Sequence, residues 1–297
     1  MKTRFVLVGV AVLVALSLLM GGCKLFDLDG SLFPDPNLEL AVREAIGKPT
    51  GEITPADLVG LTRLDARNQG ITNLEGMQYC TGLTWLDLYR NQIADLTPLA
   101  GLKQLTVLYL IANQITNLTP LAGLTRLTEL WLWGNQITDL TPLAGLTRLT
   151  ELWLYENDIT DLTPLAGLTQ LTTLVLSSNQ ITNLTPLAGL TQLTKLSLWG
   201  NQITDLTPLT GLTQLTLLSL SANQITNLSP LAGLTQLTEL YLSSNQITNI
   251  LPLGSLTKIE RLGIERNQLD LTSGFPTMQI IKLFQDRGAE VTYEPRT

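Results

Sequence analysis

LTELWLWGNQITDLTPLAG (Leu127 to Gly145) sets Leu127, Leu130, Leu132, Asn135 and Ile137 on the spacing Leu-x-x-Leu-x-Leu-x-x-Asn-x-Ile. Outward from this stretch the same spacing returns every 22 residues. Its first apolar residue is Leu61, Leu83, Leu105, Leu127, Leu149, Leu171, Leu193, Leu215, Leu237 and then Ile259, so ten units share one register. The polar position reads Asn91, Asn113, Asn135, Asn157, Asn179, Asn201, Asn223, Asn245 and Asn267; the first unit departs, with Gln69 there and Ala66 where later units have leucine. Leu-x-Leu is a period of two, which predicts a short strand with leucines in the core and the intervening residues outside.

That spacing at that period is the signature of a leucine-rich repeat. The asparagine falls where the chain leaves the strand, and its amide can satisfy backbone groups that the bend removes from the sheet. In the second half of the unit, Ile137, Leu140, Leu143 and Leu146 add core residues. Pro142 lies in a segment too short for a full helix, so a 3₁₀ turn is expected. No unit buries its apolar face alone, so stability must come from stacked neighbours. The expected fold is an α/β solenoid: a curved right-handed coil with a parallel β-sheet on its concave face and short 3₁₀ or turn segments on its convex face. At about 4.8 Å between strands, ten units make a sheet on the order of 45 Å long.

The flanks read as caps for the two open ends. Residues 34–60 are the expected helical N-terminal cap. Asp35 is the N-cap residue, Pro36 the first helical position, Leu38, Val42 and Ile46 the buried face and Gly47 the stop, with a second short helix opened by Thr54 and Pro55. The repeats occupy 61–268. Residues 269–297 read as a helix–strand C-terminal cap, with Ile280, Ile281 and Phe284 turned inward on a helix from Pro276 to Gly288, followed by the extended segment AEVTY.

Residues 1–22 have a basic start (Lys2, Arg4) and an apolar run from Phe5 to Met20, followed by Gly21, Gly22 and Cys23. This resembles a bacterial lipoprotein signal, with Met20 where the lipobox usually has leucine. The resemblance implies lipidation at Cys23, a tether over 23–33, and repeats held outside the cytoplasm in the bacterial envelope. Lys24 in place of aspartate favours the outer membrane in a host with two membranes. The alternative is an uncleaved single-span anchor, which also places the repeats outside. Asp27, Asp29 and Gly30 lack the further ligands of a calcium loop, so no metal site is expected. Removing Lys2 and Arg4 from the 18 basic residues leaves 16 against 25 acidic, a net charge of −9 that argues against nucleic acid as a partner. Cys80 takes the place of Leu102, Leu124 and Leu146 and reads as a buried thiol.

The outward strand positions form three columns. The first reads Arg63, Trp85, Val107, Glu129, Glu151, Thr173, Lys195, Leu217, Glu239 and Arg261; the second Asp65, Asp87, Tyr109, Trp131, Trp153, Val175, Ser197, Ser219, Tyr241 and Gly263; the third Arg67, Tyr89, Ile111, Trp133, Tyr155, Ser177, Trp199, Ser221, Ser243 and Glu265. All five tryptophans therefore point away from the core. Tyr89, Tyr109, Trp131, Trp133, Trp153 and Tyr155 become neighbours on four consecutive strands, beside Trp85 and Ile111, with Trp199 two units beyond. Even partial exposure of rings that bury about 150–250 Å² each would approach the largest apolar patch on an ordinary monomer. Tryptophan and tyrosine also dominate many binding interfaces. Cross-strand stacking alone could explain rings in a column. The units from Thr173 to Ser244, however, keep the same core beneath a face of mostly serine, threonine and alanine, so the scaffold does not require aromatics.

Glu129 and Glu151 share a column beside Trp131 and Trp153, and Glu156 is nearby. Paired carboxylates suit a retaining glycosidase, but a solvated acidic rim on an open face is the stronger reading. The chain has no histidine. That removes Ser/His/Asp and Cys/His nucleophilic sites, and no glycine-rich phosphate loop is present. We expect neither catalysis nor a cofactor.

NQITDLTPLAGLTRLT (Asn135 to Thr150), repeated with little change from Leu61 to Asn267 over about 70% of the chain, resembles the repeat of the internalin family of bacterial surface proteins. The resemblance implies a curved solenoid that binds protein on its concave face. The partner does not transfer, because the family recognises it through variable strand positions. The lipobox in place of a C-terminal sorting signal, and the lack of a sizeable domain after the repeats, do not favour an invasion role. The leading expectation is a lipid-anchored protein-binding module using Trp85, Tyr89, Tyr109, Trp131, Trp133, Trp153, Tyr155, Trp199, Glu129 and Glu151. Glycan binding by the same rings, and a structural envelope role without a specific ligand, are the alternatives.

Overall fold

The computed structural model describes residues 31–293. The expected signal 1–22, its lipidation site Cys23 and most of the tether lie outside the described residues.

The repeats form a leucine-rich repeat solenoid. Strands β1 (Arg63–Asp65), β2 (Trp85–Asp87), β3 (Val107–Tyr109), β4 (Glu129–Trp131), β5 (Glu151–Trp153), β6 (Thr173–Val175), β7 (Lys195–Ser197), β8 (Leu217–Ser219), β9 (Glu239–Tyr241) and β10 (Arg261–Gly263) are followed by β11 (Glu290–Thr292). All pair in parallel, in sequence order, as one eleven-stranded sheet. The register repeats without a slip, from Arg63 opposite Trp85 to Glu239 opposite Arg261. The central leucine of each strand from Leu64 to Leu240 is fully buried. A parallel sheet needs a crossover between strands. Here the second half of each unit provides it through a 3₁₀ turn such as Thr141–Leu143, which buries Leu143. The turn is primed locally: Asp139 Oδ1 accepts the Thr141 N–H at 2.8 Å, and Pro142 fixes φ at a position that needs no backbone donor.

The asparagines form a ladder through the core. Asn135 Nδ2 donates to Leu132 O at 2.8 Å and to Leu110 O of the preceding unit at 3.0 Å, while Oδ1 accepts the Ile115 N–H at 3.0 Å. One amide thus ties the exits of two consecutive strands. The residue before each asparagine has left-handed φ, from Arg90 (φ 53°) and Ala112 (φ 51°) to Ser244 (φ 58°); only Gly134 and Gly200 meet that need with glycine. The bend away from the strand is therefore held by the ladder against local preference.

Both ends are closed. Helix α1 (Pro36–Ile46) is capped by Asp35, whose Oδ1 accepts the Asn37 and Leu38 N–H groups; its Oδ2 accepts the Thr72 and Asn73 N–H groups and the Thr72 hydroxyl. One buried carboxylate thus ties the cap to the first repeat. Burial pushes its pKa up, but the N–H groups of Thr72, Leu38 and Asn73 together hold it below the ordinary aspartate value. The buried face of α1 is Leu38, Ala41 and Val42; Ile46, expected inside, is half-buried because it ends the helix beside Gly47, whose φ of 66° turns the chain away. Helix α2 (Pro55–Leu58) follows behind Thr54. Helix α3 (Pro276–Asp286) buries Thr277, Ile281 and Phe284, with Ile280 half-buried against Gly254 at the rim. The AEVTY segment supplies β11, which covers the edge of β10. Cys80 is fully buried, and burial pushes its thiol pKa up to about 12.

Candidate functional site

The sheet register builds the site. Pairing aligns Trp85, Val107, Glu129 and Glu151 in one row across the strands, and Asp87, Tyr109, Trp131 and Trp153 in a second. Beyond the strand ends, the Arg90 N–H donates to Ile111 O and the Ala112 N–H to Trp133 O, which keeps the third row in step. The strand spacing of about 4.8 Å leaves side chains in one row little choice but contact. Tyr109 stacks on Trp131 with centroids 4.3 Å apart and planes 26° from parallel, and Trp131 meets Trp153 at 5.1 Å. Trp85 stands edge-on to Tyr109 at 5.8 Å. In the third row Tyr89 reaches Trp133 at 6.2 Å, and Trp133 reaches Tyr155 at 6.1 Å.

The Tyr89–Trp133 contact spans two units and closes over Ile111, the residue between them. Ile111 is therefore buried at 6% exposure instead of contributing to the open patch as its column position suggested. Asp87, also on an outward column, is 5% exposed: its carboxylate accepts the Tyr89 N–H and lies 3.5 Å from Arg67 Nε, and burial raises its pKa. The tryptophans are less open than their outward positions imply. Trp85, Trp131, Trp133 and Trp153 are half-buried, because each ring spends area on its neighbours. Trp199 alone among them is exposed, at 42%, with the buried Ser177 separating it from Tyr155 in its row.

Glu129 and Glu151 lie in register on β4 and β5. The Tyr109 hydroxyl donates to Glu129 at 2.9 Å; burial first, and this carboxylate second, push the Tyr109 pKa up to about 12. The indole N–H groups of Trp131 and Trp153 are buried with no acceptor among the described residues, a cost of about 1–3 kcal/mol each.

Reading the aromatics alone missed the arginines at the first end of the face. The Arg63 guanidinium lies over Trp85, 3.3 Å from the ring centroid, and Arg90 approaches Tyr89 at 5.2 Å. Arg67 pairs with Asp65 at 2.7 Å. Together with Trp85, Asp87, Tyr89, Tyr109, Trp131 and Trp133, and with the largely buried Ile111 among them, Arg63 and Arg67 line a cleft of about 350 Å³ in the face. The signal was present in the first-unit entries of the columns, which put Arg63 beside Trp85 and Arg67 beside Tyr89.

The repeated sequence that builds this register is matched by a family model described as leucine-rich repeats (2 copies), over residues 81–123, 103–145, 125–167, 147–189, 191–233 and 235–277. An internalin (inlF) from Listeria monocytogenes is similar in structure over 89% of this chain and 92% of its own, with a TM-score of 0.72 and 32% identity. The chain belongs to the internalin-like leucine-rich repeat family. Internalin C2 (inlC2) from the same species is 43% identical, over 80% of this chain and 95% of its own, with a TM-score of 0.61. Internalin H of Listeria monocytogenes is 48% identical over 50 residues, which span 16% of this chain and only 9% of that protein. Members of this fold present a broad concave sheet as an interaction scaffold.

Proposed function

We propose that this internalin-like protein is a non-enzymatic binding module, anchored outside the cytoplasm through a lipid on Cys23, and that it engages a protein partner with the aromatic rows of its concave face. The observation that carries the reading is the confinement of the cluster. Trp85, Tyr89, Tyr109, Trp131, Trp133, Trp153 and Tyr155 crowd β2 to β5, while the units of β6 to β8 stack on the same leucine core with mostly small residues in those rows, Thr173, Val175, Ser177, Ser197, Ser219 and Ser221 beside Lys195 and Leu217, and Trp199 as the one ring. A scaffold that does not need aromatics for stability crowds them onto four of its ten repeat strands. The unpaired indole N–H groups of Trp131 and Trp153 support the same reading, since a small tilt of either ring would let a partner carbonyl accept from it. Glu129, Glu151 and Glu156 then suit a basic rim on the partner, and Trp199 lies at the edge of the footprint.

The test is a pull-down from envelope, host-cell and glycan preparations, comparing wild type with the Trp131→Ser, Trp133→Ser, Trp153→Ser triple variant at matched circular dichroism. Proteins retained only by wild type support the proposal. Saturable sugar binding lost in Trp131→Ala would assign the rings to a glycan instead, and identical recoveries from two folded proteins would make the cluster architectural. The anchor is tested separately: incorporation of a fatty-acid probe should disappear in Cys23→Ala.

A further inference from the structure

The aromatic face is electrically polarised along the solenoid. Around β1 and β2, Arg63, Arg67 and Arg90 stand against Asp65 and Asp87. Arg67 is engaged by Asp65 and lies near Asp87. Arg63 and Arg90, both exposed, make no salt bridge among the described residues; Arg63 lies over Trp85 within electrostatic reach of Asp65 and Asp87, and Arg90 lies beside Tyr89. A guanidinium lying over an aromatic ring satisfies its face and leaves its in-plane N–H groups free to donate to a carboxylate. Around β4 and β5 the outward positions carry Glu129 and Glu151, with Glu156 at the exit of β5, and no basic residue. Glu129 accepts only the Tyr109 hydroxyl, and Glu151 and Glu156 pair with no cation among the described residues. The stacked rows of Tyr109, Trp131 and Trp153 bridge the two ends.

We propose that the occupant of this face is a linear peptide segment of a protein partner, laid across the strands with an acidic group over Arg63, apolar or aromatic side chains against the ring rows, and a lysine or arginine over Glu151 and its row neighbour Glu129. This rests on the protein-binding reading above and adds the chemistry and orientation of the ligand. From β1 to β5 there are four strand spacings, about 19 Å. An extended chain covers that distance in about six residues. The cleft of about 350 Å³ beside Arg63 seats the acidic end and the side chain next to it. Opposite charges at the two ends of one apolar track favour one placement of the segment and disfavour the reverse, because like charges brought together are repelled.

The probe is a library of random linear peptides displayed on phage and panned over the full-length protein. Wild type should enrich sequences with an acidic and a basic residue about six positions apart and an aromatic or aliphatic residue between them. A synthetic peptide of that kind should bind Arg63→Glu and Glu151→Lys on the order of tenfold more weakly, and so should versions of it with two acidic or two basic ends bind wild type. Because Arg63→Glu also removes the contact with Trp85 and adds a carboxylate beside Asp65 and Asp87, Arg63→Ala is measured beside it and should weaken peptide binding in the same direction, with circular dichroism and urea unfolding confirming that each variant is folded. Enriched sequences without paired charges, or binding unchanged in Arg63→Glu and Glu151→Lys, overturn the polarised peptide. If such sequences are still lost in the Trp131→Ser, Trp153→Ser variant, the aromatic recognition reading survives. If wild type enriches nothing, or the tryptophan variant retains the same sequences, that reading falls as well.

Discussion

Replacing Asn135 by alanine removes three buried hydrogen bonds, yet the structure predicts that only one group is left unsatisfied. Leu132 O accepts from Asn135 and also from Asn157 at 3.1 Å; Leu110 O accepts from Asn135 and also from Asn113 at 3.1 Å. Each carbonyl keeps one donor when Asn135 is lost. The Ile115 N–H, whose acceptor is Asn135 Oδ1, keeps none. The single substitution should therefore cost about 1–3 kcal/mol, the desolvation penalty of one orphaned buried donor. Adding Asn113→Ala changes the arithmetic, because Leu110 O then loses both donors and the Ile93 N–H loses its acceptor as well. The adjacent double variant should exceed the sum of its singles by about 1 kcal/mol. The distant pair Asn135→Ala with Asn223→Ala, which shares no carbonyl, should add to within about 0.5 kcal/mol. Urea unfolding followed by circular dichroism and by tryptophan fluorescence supplies all the values, with coincident transitions as the condition for comparing them. An adjacent pair as additive as the distant one would refute the shared-carbonyl account.

Asp35→Ala should destabilise by about 2–4 kcal/mol, since it removes a helix cap and the link to Thr72 and Asn73 together. Because the folded pKa of Asp35 is lowered, its contribution is complete above the unfolded aspartate value and is lost as pH falls through the folded one. Unfolding of wild type and variant should therefore converge at low pH, and a constant gap down to pH 2 would contradict the assignment. At the left-handed position before the ladder, Gly134→Ala should lose about 1 kcal/mol and Ala222→Gly should be neutral or gain slightly, read as shifts in the urea midpoint. Cys80, with its thiol pushed up to about 12 by burial, should resist alkylation at pH 8 in the native protein and react fully in denaturant; rapid native labelling would place it outside the core.

The parts of the fold legible in the sequence are those fixed by repetition. A leucine recurring at 22 residues with an alternating Leu-x-Leu can meet its neighbours in only one register, and the observed pairing from Arg63 opposite Trp85 to Glu239 opposite Arg261 is that register. The asparagine, the proline-containing turn, Asp35 before Pro36 and the final extended segment are equally local signals, and each became the expected element. What the columns could not show is how large side chains share the space above a strand. A column assigns a residue to a side of the sheet, whereas its exposure depends on rings one or two units away. Ile111 was placed on the outer face and is covered because Tyr89 and Trp133 are long enough to meet across it. Asp87 is buried because the Tyr89 backbone N–H and Arg67 draw its carboxylate down. Arg63 becomes part of the site because a guanidinium can lie flat on the ring in the next strand, a contact that no hydrophobic period records. The same reasoning yields one more expectation. If Ile111 is a spacer under a two-unit ring contact, Ile111→Ala should loosen Tyr89 and Trp133 and change tryptophan fluorescence. The equivalent Ser221→Ala, flanked in the same row by Trp199 and Ser243 and so beneath no ring-to-ring contact, should leave both fluorescence and stability nearly unchanged; equal responses at the two sites would mean that the aromatic rows are held by the strands alone.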